Sequence, residues 1–368
     1  MPRYEKVFSG DSHIREPYDL WWRTIGNKLG DRTPRIVHEY KGISGDFFFT
    51  GGRICKVITT NVADKDDATA DLFVRAGYEP DARLEFQDRA NVAGEIIFPS
   101  VFSPIMQAGV GEVVHAAAAV YNDWLWEFCS AAPDRLIGMA AVPMYDIDLA
   151  IAELERGRGK GLRGALINTV APEGCPAYKD PAYDPFWAAA QNLDIPIILH
   201  IVTGRVLDPI VYAITEEEHR EGSQGVFDMW NELHGAVANE FIFGGILDRF
   251  PKLKLIDAEY EISWLPHFMF RLDQMQRDFT GLLDLPKLEH AASDYVKHRM
   301  WHGMTDDPYG LDTIRHVGAS QVMWGSDFPH IRSIELDTQD VLKELFGTLP
   351  AADYRKVTGG NVQRVFNA

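Results

Sequence analysis

Ile195-Pro196-Ile197-Ile198-Leu199-His200 is a short apolar run that ends on a histidine. It reads as a buried strand of the kind parallel sheets use, with a functional group carried out at its end. Seven more runs of this type recur along the chain: Val7-Phe8-Ser9 continuing to Asp11, then Glu95–Phe98, Leu136–Val142, Gly164–Ile167, Leu253–Ile256, Arg299–His302 and Val322–Trp324. Between them lie amphipathic stretches that read as helices, among them Asp81–Val92, Val114–Cys129, Ile147–Glu155, Pro185–Asn192 and Thr338–Phe346. Strands alternating with helical crossovers imply an α/β protein, a (β/α)8 TIM barrel, because right-handed crossovers are the common way to join parallel neighbours. The spacing is uneven over residues 20–80 and 202–237. In a barrel such insertions sit on strand-to-helix loops and build the mouth of the site. No linker, repeat or low-complexity tract divides the sequence, so residues 1–368 read as one domain.

Composition narrows the function. Of the 368 residues 46% are hydrophobic, ordinary for a globular protein, and the formal charge is -18. A field of that sign repels phosphate backbones and anionic membrane surfaces, so neither nucleic acid nor membrane is expected as a partner. No apolar segment reaches the roughly 18 residues of a membrane span, and the residues from Met1 to Gly10 do not lead into a signal-like apolar stretch. Cys55, Cys129 and Cys175 are odd in number and widely spaced, which fits a reducing compartment. The expectation is a cytoplasmic enzyme acting on a small molecule.

The strand ends carry the chemistry. Asp11-Ser12-His13 sets a carboxylate and an imidazole two residues apart, and period-2 alternation sends both to one face. Such a pair is common, and a turn aspartate beside a surface histidine is the plain structural reading. Three later residues change the balance. His200 ends the fifth strand, Glu259 follows the sixth, and Asp327 leaves the eighth in Gly325-Ser326-Asp327-Phe328-Pro329-His330. The eighth strand closes against the first, so Asp11, His13 and Asp327 become neighbours with His200 opposite. Two carboxylates and two imidazoles in a cage with an open position suit a catalytic divalent metal.

These segments resemble the amidohydrolase superfamily, in its amidohydrolase-2 branch, which includes aminocarboxymuconate-semialdehyde decarboxylase and hydroxybenzoate decarboxylases. The resemblance rests on Asp11-Ser12-His13-Ile14-Arg15-Glu16-Pro17, Tyr183-Asp184-Pro185-Phe186-Trp187, the 195–200 run, Phe250-Pro251-Lys252-Leu253-Lys254, Trp264-Leu265-Pro266 and the 325–330 turn. It implies a metal-centred barrel with an acidic residue-x-His pair at Asp11 and His13, a fifth-strand ligand at His200 and an eighth-strand aspartate at Asp327. It also implies a homodimer. The chain departs at Glu259, where many decarboxylases have a catalytic histidine, and a glutamate cannot serve as a cationic electrophile at neutral pH.

Two reactions fit such a centre: attack of metal-bound hydroxide in a hydrolysis, and non-oxidative decarboxylation of a carboxylate held beside a hydroxyl or carbonyl oxygen. Asp327 is the expected proton-transfer group in both. Glu259 is a further base or a ligand to a second metal, and His330 an orienting or substrate-contacting group. Arg15 and His302 are candidate substrate-binding residues, Arg15 through a bidentate fork to a carboxylate. His234 and His267 are weaker candidates, His267 as a packing residue. Trp21, Trp22, Phe47, Phe48, Phe49 and Trp230 fall in the insertions, as core or as walls of a pocket for an aromatic substrate. Zinc is the first expectation for the metal, with manganese or iron as alternatives. An iron or iron-manganese oxygenase on the same fold, and a non-catalytic barrel subunit of a hetero-oligomer, are the competing readings.

Overall fold

The computed structural model describes residues 7–58, 62–222, 225–283, 285–330 and 333–368. Residues 59–61 of the first insertion, residues 223–224 of the second and the first six residues of the chain lie outside this set. All eight expected strands form. They are β1 (Val7–Ile14), β5 (Val92–Pro99), β6 (Leu136–Ala141), β7 (Gly164–Ile167), β8 (Ile197–His200), β9 (Leu255–Ala258), β10 (Met300–Met304) and β11 (Val322–Trp324), hydrogen-bonded in that order. Every neighbouring pair is parallel. Five of the eight, β6 to β9 and β11, are buried along their whole length, and β1, β5 and β10 at all but one residue each, as strands packed between a barrel interior and a helical layer must be.

The seam closes just beyond the last strand. His13 N donates to Phe328 O at 2.6 Å, Asp327 N donates to Asp11 O at 3.0 Å, and Ser12 bridges Phe328 in parallel. Gly325 makes this approach possible: a Cβ there would stand 2.3 Å from that of Asp11.

The helices start and stop where their sequences direct. Asp66 and Asp146 accept backbone N–H bonds at the starts of Asp67–Ala76 and Ile147–Lys160. Pro80 and Pro266 occupy first-turn positions where no N–H is required. Gly161 ends its helix in the left-handed region at φ 105°.

The first insertion holds a helix, Leu20–Leu29, and a separate antiparallel sheet of β2 (Arg35–Tyr40), β3 (Ile43–Phe49) and β4 (Ile54–Lys56). The second holds the helices Pro209–Tyr212, Glu216–Gly222 and Gly225–Ala236. Glu218 ties the two insertions together by accepting from Tyr40 Oη and Lys41 Nζ, both at 2.8 Å. Among the described residues no helix is long and apolar enough to cross a membrane.

Candidate metal centre

β1, β8 and the turns after β9 and β11 deliver their side chains to one point at the C-terminal mouth. His13 Nε2 lies 3.4 Å from Asp11 Oδ1, 3.4 Å from Asp327 Oδ1 and 3.8 Å from Glu259 Oε2. His200 Nε2 lies 3.7 Å from Asp11 Oδ2 and 3.4 Å from Glu259 Oε2. Ligands about 2.1 Å from one ion stand roughly 3.0–3.4 Å apart, and the spacings approach this in two overlapping groups, Asp11, His13, His200 and Glu259, and His13, Glu259, Asp327 and His330, in each of which one ligand atom per residue lies within 4.8 Å of the others. Both Asp11 oxygens, His13 Nε2, His200 Nε2 and Asp327 Oδ1 are buried and, among the described residues, without a hydrogen-bond partner. Each such group costs on the order of 1–3 kcal/mol or more if left unsatisfied, so five in one cluster fit a cage built for a cation.

The opposite ring nitrogens are already committed. Nδ1 of His13 bonds Pro99 O and Nδ1 of His200 bonds Ile201 O, each at 2.9 Å, which leaves both Nε2 lone pairs turned toward the cage. Glu259 and Asp327 reach it through left-handed backbone, at φ 62° and 56°, a conformation costly for side chains with a Cβ and concentrated at functional turns.

Charge is shared unevenly among these groups. Burial pushes Asp11 up, yet His200 and His13 outweigh it and hold that carboxyl well below the usual range. Burial likewise works against His13 and His200, but Asp11 beside them leaves both imidazoles raised. Asp327 is pushed up to about 7 by burial, which His13 offsets only in part. Burial, with His13 stacked 3.9 Å away, brings His330 down to about 3, a neutral ring. His330 Nδ1 is 2.8 Å from Asp327 Oδ1 but out of line for a hydrogen bond, while its Nε2 bonds Ser100 Oγ at 3.1 Å.

Two buried charges support the cage from behind. Arg83, fully buried, donates to Glu95 and, at 2.9 Å, to His13 O, and lies 4.6 Å over the ring of Phe328. It therefore grips both sides of the barrel seam. Glu16 accepts the N–H groups of Ser100, Val101 and Phe102 at 3.2, 2.9 and 3.0 Å and so fixes the turn that carries Ser100.

Above the cage opens a cavity of about 380 Å³ that reaches Arg15, Lys56, Gln107, Asp208 and Tyr212. The Arg15 guanidinium is half-buried and, among the described residues, makes no hydrogen bond or ion pair. Thus Asp11, His13, His200, Glu259, Asp327, His330 and Arg15 come together as the sequence suggests.

His302 does not. It sits inside β10 rather than at its end, and its ring faces the helical layer: Nδ1 bonds Asp257 Oδ2 at 2.6 Å and Nε2 bonds Val296 O at 2.9 Å. Alternation along the strand turns it away from the cavity, so it is no substrate contact. Of the two readings of the aromatics in the first insertion, the core one holds for three and the pocket-wall one for none. Trp21, Phe47 and Phe48 are core, Trp22 is exposed, Phe49 stacks under Arg35, and none lines this cavity, whose apolar lining includes Val57, Ile58, Val202, Ile210, Val211 and Tyr212. His267 is exposed, not packed.

Sequence reasoning passed over Ser100, although it directly follows β5 and the strand-end rule applies to it. Lys56 and Asp208 arrive on insertions and gave no such signal.

The sequence model of the amidohydrolase family matches residues 59–368. Gamma-resorcylate decarboxylase of Rhizobium radiobacter is 28% identical over 301 residues, spanning 78% of this chain and 86% of that protein. An amidohydrolase from Mycobacterium avium subsp. paratuberculosis K-10 has the same fold, with a TM-score of 0.75 at 18% identity over 100% of this chain and 99% of the other. So does a dihydroxybenzoic acid decarboxylase from Polaromonas sp. JS666 with bound manganese and 2-nitroresorcinol, with a TM-score of 0.68 at 20% identity over 99% and 97% of the two chains. With a matched segment covering most of its length and a barrel that gathers the expected strand-end groups, this chain belongs to the amidohydrolase family.

Proposed function

We propose that the protein is a metal-dependent, non-oxidative decarboxylase of a small aromatic carboxylate. The observation that carries this is the cluster of five unpartnered, buried ligand atoms at the floor of a cavity whose rim offers an unpaired arginine. The similarity to gamma-resorcylate decarboxylase supports the reaction type. Asp11, His13, His200 and Asp327 would hold a divalent ion, which would supply Lewis-acid stabilisation of negative charge on the substrate. The carboxylate-rich donor set admits zinc and suits manganese, the ion bound by the Polaromonas neighbour, which makes manganese the first ion to test.

Arg15 pairs with an anionic group of the substrate and sets its orientation. Asp327, in its acid form, gives its proton to the ring carbon that bears the carboxylate. The bond to the carboxyl carbon then breaks, its electron pair returns to the ring and carbon dioxide leaves. Solvent reprotonates Asp327, with His330 and Ser100 beside it to orient the carboxyl group. Glu259 accepts the proton of a substrate hydroxyl, a task a carboxylate can do where a cationic histidine is lacking. Assembly as a homodimer belongs to the same proposal, and exposed Phe270, Leu282 and Leu283 offer apolar surface for it. Light scattering checks that part.

The test is to load the enzyme with manganese or zinc and supply hydroxybenzoates in D2O. Release of carbon dioxide with one deuterium at the vacated carbon is expected. Glu259 also gives a second reading specific support, as a base for water in a hydrolysis. Turnover of lactones or amides, with no carbon dioxide from any hydroxybenzoate, would replace the first reading by the second.

A further inference from the structure

A second cavity, of about 350 Å³, opens beside the first, between the helix Gly225–Ala236 and the loops that follow β9 and β10. Aromatic side chains line it: Trp230, His234, Tyr260, Trp264 and Tyr309. Its charged lining is acidic, Glu261, Asp306 and Asp307, and among the described residues no lysine or arginine lines it.

The cavity is preformed by a reciprocal exchange between the two loops. Glu261 accepts the N–H groups of Thr305 and Asp306 at 3.1 and 3.2 Å, while Asp307 accepts those of Ile262 and Ser263 at 3.0 and 2.7 Å. Trp264 is locked by its Nε1 bond to Glu261 O at 2.8 Å, and His234 packs against both Trp264 and Phe268, at 4.6 and 5.1 Å, in a three-ring cluster. Burial keeps the His234 ring below its ordinary titration range, so it contributes a neutral ring to the lining. Trp230 and Tyr309 stand exposed at the rim.

Aromatic faces present the negative part of their quadrupole to a ligand, and the carboxylates of exposed Asp306 and buried Asp307 add negative charge, whereas burial pushes the Glu261 carboxyl up to about 7. Together they exclude anions and reward a cation that is too greasy to hold a tight water shell. We infer that this cavity binds a small organic cation of the alkyl- or quaternary-ammonium class, at a site distinct from the metal centre. Tyr260 and Glu261 follow directly on Glu259, so the turn 259–261 is a wall common to both sites.

The experiment titrates the metal-loaded enzyme with choline and, separately, with its uncharged carbon isostere 3,3-dimethylbutan-1-ol, read by tryptophan fluorescence and calorimetry. Choline should bind at least about tenfold more tightly than the isostere, the difference that desolvated cation–π contacts supply. Trp230→Ala and Tyr309→Ala, both at the exposed rim, should each weaken choline several-fold, and Asp306→Asn should do so without altering the aromatic walls. Equal binding of the two probes, no saturation by choline in the millimolar range, or unchanged choline binding in all three variants would each overturn the inference.

Discussion

Two histidines sit on barrel strands, buried to the same degree, and do opposite things. His200 ends β8 and turns Nε2 toward Asp11 and Glu259, with that nitrogen unpartnered. His302 lies within β10, and both its ring nitrogens are already bonded, to Asp257 and to the helix carbonyl of Val296. The composition around them is similar. What separates them is parity along a strand and distance from its end: one faces the mouth, the other the helices. A ring whose two nitrogens both meet acceptors must be an imidazolium, whereas a ligand must keep a free lone pair.

The comparison is sharpest at the metal centre itself. Replacing Asp327 with Asn is expected to lower turnover by on the order of 10³-fold with the melting temperature of the apo protein unchanged, measured as carbon dioxide release and by calorimetry. Near-normal turnover would remove Asp327 from the mechanism. His302→Gln should show the inverse pattern: metal content by elemental analysis unchanged, and stability lower by about 3–5 kcal/mol, since Asp257 would be left buried beside an uncharged partner. Loss of metal in that variant would erase the distinction between the two rings.

Arg15→Met should raise KM by roughly 10- to 100-fold, because a charge-assisted pair to the substrate is lost while the proton donor stays in place. A fall in kcat alone would argue against a binding role.

The His302 pair also has a pH signature. Burial lowers its pKa, but the charge and hydrogen bond of Asp257 more than offset this and leave it raised. A raised folded value means the contribution is fully present below the unfolded pKa of about 6.5 and is lost as pH rises through the folded value. The stability gap between wild type and His302→Gln should therefore narrow from pH 6 toward pH 9, and a gap that widens would reverse the assignment. The smallest effect expected is a few-fold loss of turnover in Ser100→Ala, which removes only the partner of His330 Nε2.

Much of this was legible in the sequence for a simple reason. Eight runs of apolar residues can only be buried from both sides, and groups at their C-terminal ends have to converge when the sheet closes, which located Asp11, His13, His200 and Asp327. Parity was harder. Arg299–His302 could be written as a strand ending at His302, but the strand extends to Met304, and those two residues move the histidine from the end to the interior.

The three-stranded sheet of the first insertion was missed because its turn carries a weak signal. Lys41 and Gly42 both have positive φ, 50° and 78°, yet Lys-Gly lacks the Asn-Gly or Asp-Gly preference of such hairpins. Lys56 and Asp208 reach the cavity only through the contact of two insertions distant in sequence, which no local pattern encodes.

The seam between β1 and the turn after β11 has a temporal consequence. Its hydrogen bonds join residues 11–13 to residues 327–328, nearly the full span of the chain, so this contact carries a large loop-closure cost and completes late. A ribosome-bound chain can fold its early βα units long before Asp327 emerges. The candidate donors of β1 and of the turn after β11 therefore meet only once that turn has docked on β1, so the cage is completed by tertiary closure and not by any early βα unit.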